Sequence, residues 1–184
     1  MANGLHDGTY FQYTQPLLTA DGTAMAETWL RVSTQPENHF PSLNTWQEDI
    51  SMLVIAGSKG EAIGVVTKLW TKATTAQITQ WHIFTIASFL MGTNGQSMYC
   101  FTTAQTIVGM TLDSTLDHTL IGVPPAAMVS KRGAYTRAFT NGIAAVNPGT
   151  GSVTVQLGGS YINLEGHTVT SETLPAHSGD VFIK

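Results

Sequence analysis

Breaking a bond between two sugars usually takes a pair of carboxyl groups about 5 to 10 Å apart, one protonating the leaving oxygen and the other acting as nucleophile or base. Glu27 is the acid in this sequence best placed for such work. It ends the short run Thr23-Ala-Met-Ala-Glu27 behind Asp21-Gly22, and Trp29 follows two residues later. A strand end is where parallel α/β folds keep their catalytic groups. The plainer alternative is an exposed Glu, or one paired with Arg31. Asp7 and Asp21 are candidate partners, but each precedes a glycine, and Asp-Gly is first of all a turn signal.

Aromatic side chains raise a second chemistry, because a flat ring stacks on the apolar face of a pyranose. Trp29 and Trp70 fall at expected strand ends, and Tyr10, Phe11 and Tyr13 in a loop. Trp46 and Trp81 lie on helical apolar stripes and read as core. Trp29, Trp70, Tyr10, Asp21 and Arg31 are therefore the substrate-binding candidates. Other chemistries fit less well. The histidines at 6, 39, 82, 118, 167 and 177 form no His-x-His or His-x3-His pair, so neither a metal nor another cofactor is expected. Ala56-Gly57-Ser58-Lys59-Gly60 follows a helix, whereas a nucleophile elbow follows a strand. Cys100 lies in an apolar run and reads as a buried thiol.

Composition narrows the partners. Of 184 residues 42% are hydrophobic and only 11% charged, with 27 threonines, 18 glycines and a net charge of −4; a typical domain carries about 25% charged residues. Ample Leu, Ile, Val and Phe argue against disorder, and the mild acidity argues against nucleic acid or an anionic membrane as partner. No apolar run approaches the roughly 18 residues of a bilayer span. One cysteine makes no intramolecular disulfide, and Met1-Ala-Asn-Gly-Leu-His-Asp7 has neither the basic region nor the apolar core of a signal peptide.

Two patterns divide the elements that must position these residues. Ser42 to Gly57 reads as a helix with Trp46, Ile50, Leu53 and Val54 on one face, a capping box at Thr45 and Glu48, and Gly57 at its end. Ile63 to Trp70 reads as a strand buried on both faces, 74–91 as a second helix closed by Gly92, and Ser97 to Thr102 as a further buried strand. That alternation predicts parallel strands joined by right-handed crossovers. Residues 103–132 read as a partly helical connection. Beyond Gly133 short strands alternate with turns, including an Asn141-Gly142 hairpin signal, an Asn147–Gly151 turn and a Gly158-Gly159 turn.

A family resemblance rests on three stretches: Tyr135-Thr-Arg-Ala-Phe-Thr-Asn-Gly-Ile-Ala-Ala-Val-Asn-Pro, Val153-Thr-Val-Gln-Leu-Gly-Gly-Ser-Tyr-Ile-Asn-Leu-Glu-Gly, and Leu174-Pro-Ala-His-Ser-Gly-Asp-Val-Phe-Ile. Together with Asp21-Gly22-Thr-Ala-Met-Ala-Glu27, they resemble the C-terminal portion of the glycosyl hydrolase-like family numbered fifteen. The resemblance implies a partial (β/α) barrel of three to four βα units over residues 1–132, then an antiparallel β-sandwich or sheet domain over 133–184. It implies a carbohydrate-active protein, Glu27 as one of two catalytic carboxylates, a saccharide ligand, and a parent protein compatible with secretion. An open parallel sheet leaves edge strands to cover, so self-association or a partner supplying the missing barrel half is expected. A non-catalytic carbohydrate-binding or structural module is the alternative from another class.

Overall fold

A computed structural model describes residues 2–5, 23–32, 37–103 and 121–184. The chain separates into two compact units, Met1–Ile78 with Gly92–Thr111, and Thr79–Met91 with Leu112–Lys184.

The first unit holds four parallel strands in sequence order: β1 (Ala2–Leu5), β2 (Thr23–Ala26), β3 (Ala62–Lys68) and β4 (Met98–Thr102). Helix α1 (Leu43–Ser58) joins β2 to β3 and buries Trp46, Ile50 and Leu53 completely. Its cap is Ser42, whose Oγ accepts the Thr45 amide hydrogen at 3.2 Å, so the helix starts before the expected Thr45 box. It runs on past Gly57, and the glycine with positive φ (76°) is Gly60. Strand β3 alternates, burying Ile63, Val65 and Thr67 while its other face is only half-buried. The expected strand buried on both faces is thus a one-sided one. Cys100, on β4, is half-buried.

The second unit is a six-stranded antiparallel sheet in the order β5-β6-β7-β10-β8-β9. Its strands are β5 (Val129–Lys131), β6 (Ala134–Phe139), β7 (Gly142–Asn147), β8 (Val153–Ile162), β9 (Thr168–Leu174) and β10 (Ser178–Ile183). The sheet curls until β6 touches β8, which is not its ladder neighbour. Inside the curl Ala134, Ala145, Val155, Leu157, Leu174 and Phe182 form the core. Residues 158–159 do not turn the chain; β8 passes through them with a register shift between Gln156 and Tyr161. The β6–β7 loop is Thr140-Asn141, since Phe139 pairs with Gly142. Gly142 is needed in the strand itself, because a Cβ there would strike the Phe182 carbonyl oxygen. The turn with two positive φ angles lies elsewhere: Arg132 (54°) and Gly133 (88°) join β5 to β6, and the left-handed backbone of a non-glycine residue costs about 1–2 kcal/mol.

Helix α2 (Thr75–Gly92) corrects the expected fold class. The alternation of strands and helices assigns this helix as cover for a parallel sheet in a partial (β/α) barrel. Most of it, Thr79–Met91, instead belongs to the antiparallel unit. Gln80 Nε2 donates to the Ala176 and His177 carbonyls at 3.3 and 3.2 Å, Phe84 meets the His177 ring edge-on, and the Leu90 carbonyl accepts from Arg137 at 2.9 Å. The described residues contain two helices against ten strands. The protein is strand-rich, and it is not a partial barrel.

The close seat of α2 gives a first prediction. A Cβ on Gly179 would lie 2.7 Å from Ala87 Cβ and 2.9 Å from the Ala145 carbonyl oxygen, and neither neighbour is a flexible side-chain end. Gly179→Ala is expected to cost about 1–3 kcal/mol through overpacking, measured as a lower urea midpoint at unchanged slope. An unchanged midpoint would show that the helix shifts freely.

Candidate functional site

The site is the edge of the parallel sheet where β2 and β3 end. These strands are parallel neighbours with Ala26 opposite Val65, so the residues that follow them emerge on one side of the sheet. Glu27 comes directly after β2, exposed, as the first residue of the turn 27–30. That turn is fastened along β3: the Trp29 amide donates to the Val66 carbonyl at 3.1 Å, and Thr67 Oγ1 donates to the Trp29 carbonyl at 2.8 Å.

Asp49 of α1 clamps the same turn. Its Oδ2 accepts the Leu30 amide hydrogen at 3.1 Å, and its carbonyl accepts the Trp29 indole N–H at 3.3 Å. Leu30 has φ 59°, a strained conformation for a leucine that persists where its surroundings over-determine it. With Asp49 only 1% exposed, the clamp is shielded from water. The consequence is that Glu27 leaves the sheet on a fixed backbone.

The other expected site residues divide by burial. Trp29 is fully buried, in edge-on contact with Tyr99, and serves the core. Arg31 is 4% exposed, and its guanidinium donates to Asn38 Oδ1 (3.4 Å), the Val32 carbonyl (3.4 Å) and the Glu37 carbonyl (3.0 Å). Burial, by stripping water from it, lowers its pKa below the ordinary guanidinium value. Trp70 is 41% exposed, with Lys68 Nζ 4.1 Å from its ring centroid, a cation–π contact of about 0.5–1 kcal/mol at such a site. Tyr10 and Asp21, like Asp7, Phe11 and Tyr13, lie outside the described residues.

Asn38 links Arg31 to Trp70. Its Oδ1 accepts from Arg31 Nε and, at 3.1 Å, from the Trp70 amide, while its Nδ2 donates to the Thr71 carbonyl at 3.1 Å. Sequence reasoning passed over both Asn38 and Asp49. Asn38 carries no periodic signal, being a loop residue. Asp49 does: it stands between Trp46 and Ile50 on the apolar stripe of α1, where a carboxylate needs a partner.

The arrangement offers one exposed carboxylate and one exposed indole on adjoining strand ends. Among the described residues no three His, Cys, Asp or Glu side chains converge as a metal site would require, and no helix is long and apolar enough to cross a membrane. In comparison with known proteins, the sequence matches no family model and no curated protein.

Proposed function

We propose that this is a carbohydrate-active, glycoside hydrolase-like protein whose saccharide binds at the β2–β3 edge. The observation that carries the reading is an exposed acid, Glu27, directly after β2, and an exposed indole, Trp70, two residues after the neighbouring parallel strand β3. Trp70 takes the apolar face of a sugar ring, and Lys68 Nζ lies over one face of the same indole. Glu27 supplies one of the two carboxyl groups that hydrolysis needs, and Asp21 remains its candidate partner. The second reading, a non-catalytic carbohydrate-binding module, is favoured by Asp49: this nearby acid is buried and occupied with the Leu30 amide, so it does not serve as the second carboxylate.

Hydrolysis of aryl glycosides and saccharide binding, each measured for the parent, Glu27→Gln and Trp70→Ala, separate the two. For an enzyme, Glu27→Gln is expected to lower kcat at least 100-fold, the scale of a lost general acid or base, while binding persists. Trp70→Ala is expected to weaken binding about tenfold. A parent that binds without hydrolysing, and loses binding in Trp70→Ala, is a binding module. Binding unaffected by Trp70→Ala sinks both readings.

A further inference from the structure

The antiparallel unit carries a cavity of about 270 Å³ between the β5–β6 hairpin and the first half of β8. It exists because β8 is laddered to β10 at a single pair, Ile162 with Ile183, whereas β9 follows it from Val153 onwards. Toward its start β8 parts from β10, and the hairpin curls over the gap until Gly133 approaches Val153. Lys131 and Arg132 stand at the mouth, both exposed, and among the described residues neither is engaged by a carboxylate. Thr136 and the β8 residues Thr154, Val155 and Gln156 line the rest of it; Val155 belongs to the core, whereas Thr154 and Gln156 are exposed and the Thr154 hydroxyl shares a hydrogen bond with that of Thr173 at 2.9 Å. Arg132 is held there in a left-handed conformation, φ 54°, which fixes where its side chain leaves the turn.

Two uncompensated cations beside uncharged hydrogen-bonding groups select an oxyanion carried on a hydroxylated body. The volume lies just under the roughly 300 Å³ at which ordinary ligand pockets begin, room for one ring. We propose that this cavity binds a small hydroxylated carboxylate, of which a uronate sugar is the chemical type: its carboxylate meets Lys131 and Arg132, and its hydroxyls meet Thr136 and the β8 segment from Thr154 to Gln156. The site shares no residue with the Glu27 edge, so it stands or falls separately from the proposed function.

Amide chemical shifts of the full chain, titrated with glucuronate, glucose and sodium sulfate, test it. Glucuronate is expected to move amides of β5, β6 and β8 saturably with a millimolar Kd, glucose to leave them in place, and sulfate to bind at least tenfold more weakly. Arg132→Gly removes the guanidinium while easing the left-handed turn, so the protein stays folded while its Kd for glucuronate rises at least tenfold. Lys131→Gln is expected to raise it similarly, and Glu27→Gln to leave it unchanged. The proposal is overturned by glucose or sulfate binding as tightly as glucuronate, by the absence of saturable shifts on these strands, or by an Arg132→Gly protein that binds as the parent does.

Discussion

Asn147→Asp is expected to destabilise the antiparallel unit severely at neutral pH. Asn147 ends β7, fully buried, and its Nδ2 donates to the carbonyls of Gly151 (2.7 Å), Leu174 (3.0 Å) and Pro175 (2.7 Å), while its Oδ1 accepts the Gly149 amide at 3.0 Å. One side chain thus fastens the β7–β8 turn to the end of β9. Aspartate has the same shape but aims an oxygen at three carbonyl oxygens. Each buried acceptor deprived of its donor costs about 1–3 kcal/mol, and an uncompensated buried charge costs about 3–5 kcal/mol. The loss, roughly 4 kcal/mol or more, is comparable with the 5–15 kcal/mol that holds a domain together. Thermal melting at pH 7 is expected to fall by at least about 15 °C, at 4–8 °C per kcal/mol for a unit of this size. Asn147→Ala, which leaves the same carbonyls bare but adds no charge, is expected to fall less. An Asp variant that melts within two or three degrees of the parent, about half a kcal/mol, would dissolve the claim that this amide is a clamp.

The second large effect depends on pH. Asp180, on β10, is 9% exposed, and its Oδ1 accepts the Val181 amide at 2.7 Å and the Leu164 amide at 3.3 Å. Burial pushes its carboxyl up from the ordinary 3.8 to about 6; the two amides oppose the rise, and Glu172 and Glu165 add to it. Glu165 itself lies 3.3 Å from His167. Because the folded pKa is above the unfolded one, the protonated acid stabilises the fold. That contribution is complete below about pH 4 and disappears as pH rises through about 6. At about 1.4 kcal/mol per pKa unit, it amounts to some 2–3 kcal/mol. Asn imitates the protonated acid and keeps the accepting oxygen. Asp180→Asn is therefore expected to match the parent near pH 4, exceed its stability by about 2–3 kcal/mol near pH 8, and lose the downward slope between. Urea midpoints of the two proteins across that range decide it, and parallel curves would rule the titration out.

How much of this was written in the sequence depends on whether a residue's local pattern also names its neighbours. Alternation and turn chemistry located β6, β7 and β10 within a residue or two, because a one-sided strand repeats every second residue. The same reasoning misplaced the β6–β7 turn, since Gly142 answers to the Phe182 carbonyl on another strand and not to the loop. The apolar stripe of α2 was legible, but a stripe does not say which sheet will cover it, and from that gap came the barrel. At the candidate site, Glu27 and Trp70 were found from their strand-end positions. Trp29 and Arg31 were grouped with them, although burial, a tertiary property, draws Trp29 into the core and Arg31 among backbone carbonyls. The Lys131–Arg132 pair gave no signal of its own. It matters only where β8 diverges from β10.

The division of α2 has a further consequence, for synthesis. Gln80 is made 96 residues before the Ala176 carbonyl that accepts its hydrogen bond. The antiparallel unit therefore cannot close before β10 has been made: its helical segment emerges early and waits until β10 leaves the ribosome. Contacts of such long separation fold slowly, and a segment waiting for its partners is where newly made chains stick to one another. A shortened gene starting at Leu112 would encode every strand of the curled sheet and omit the helix against which Gly179 rests.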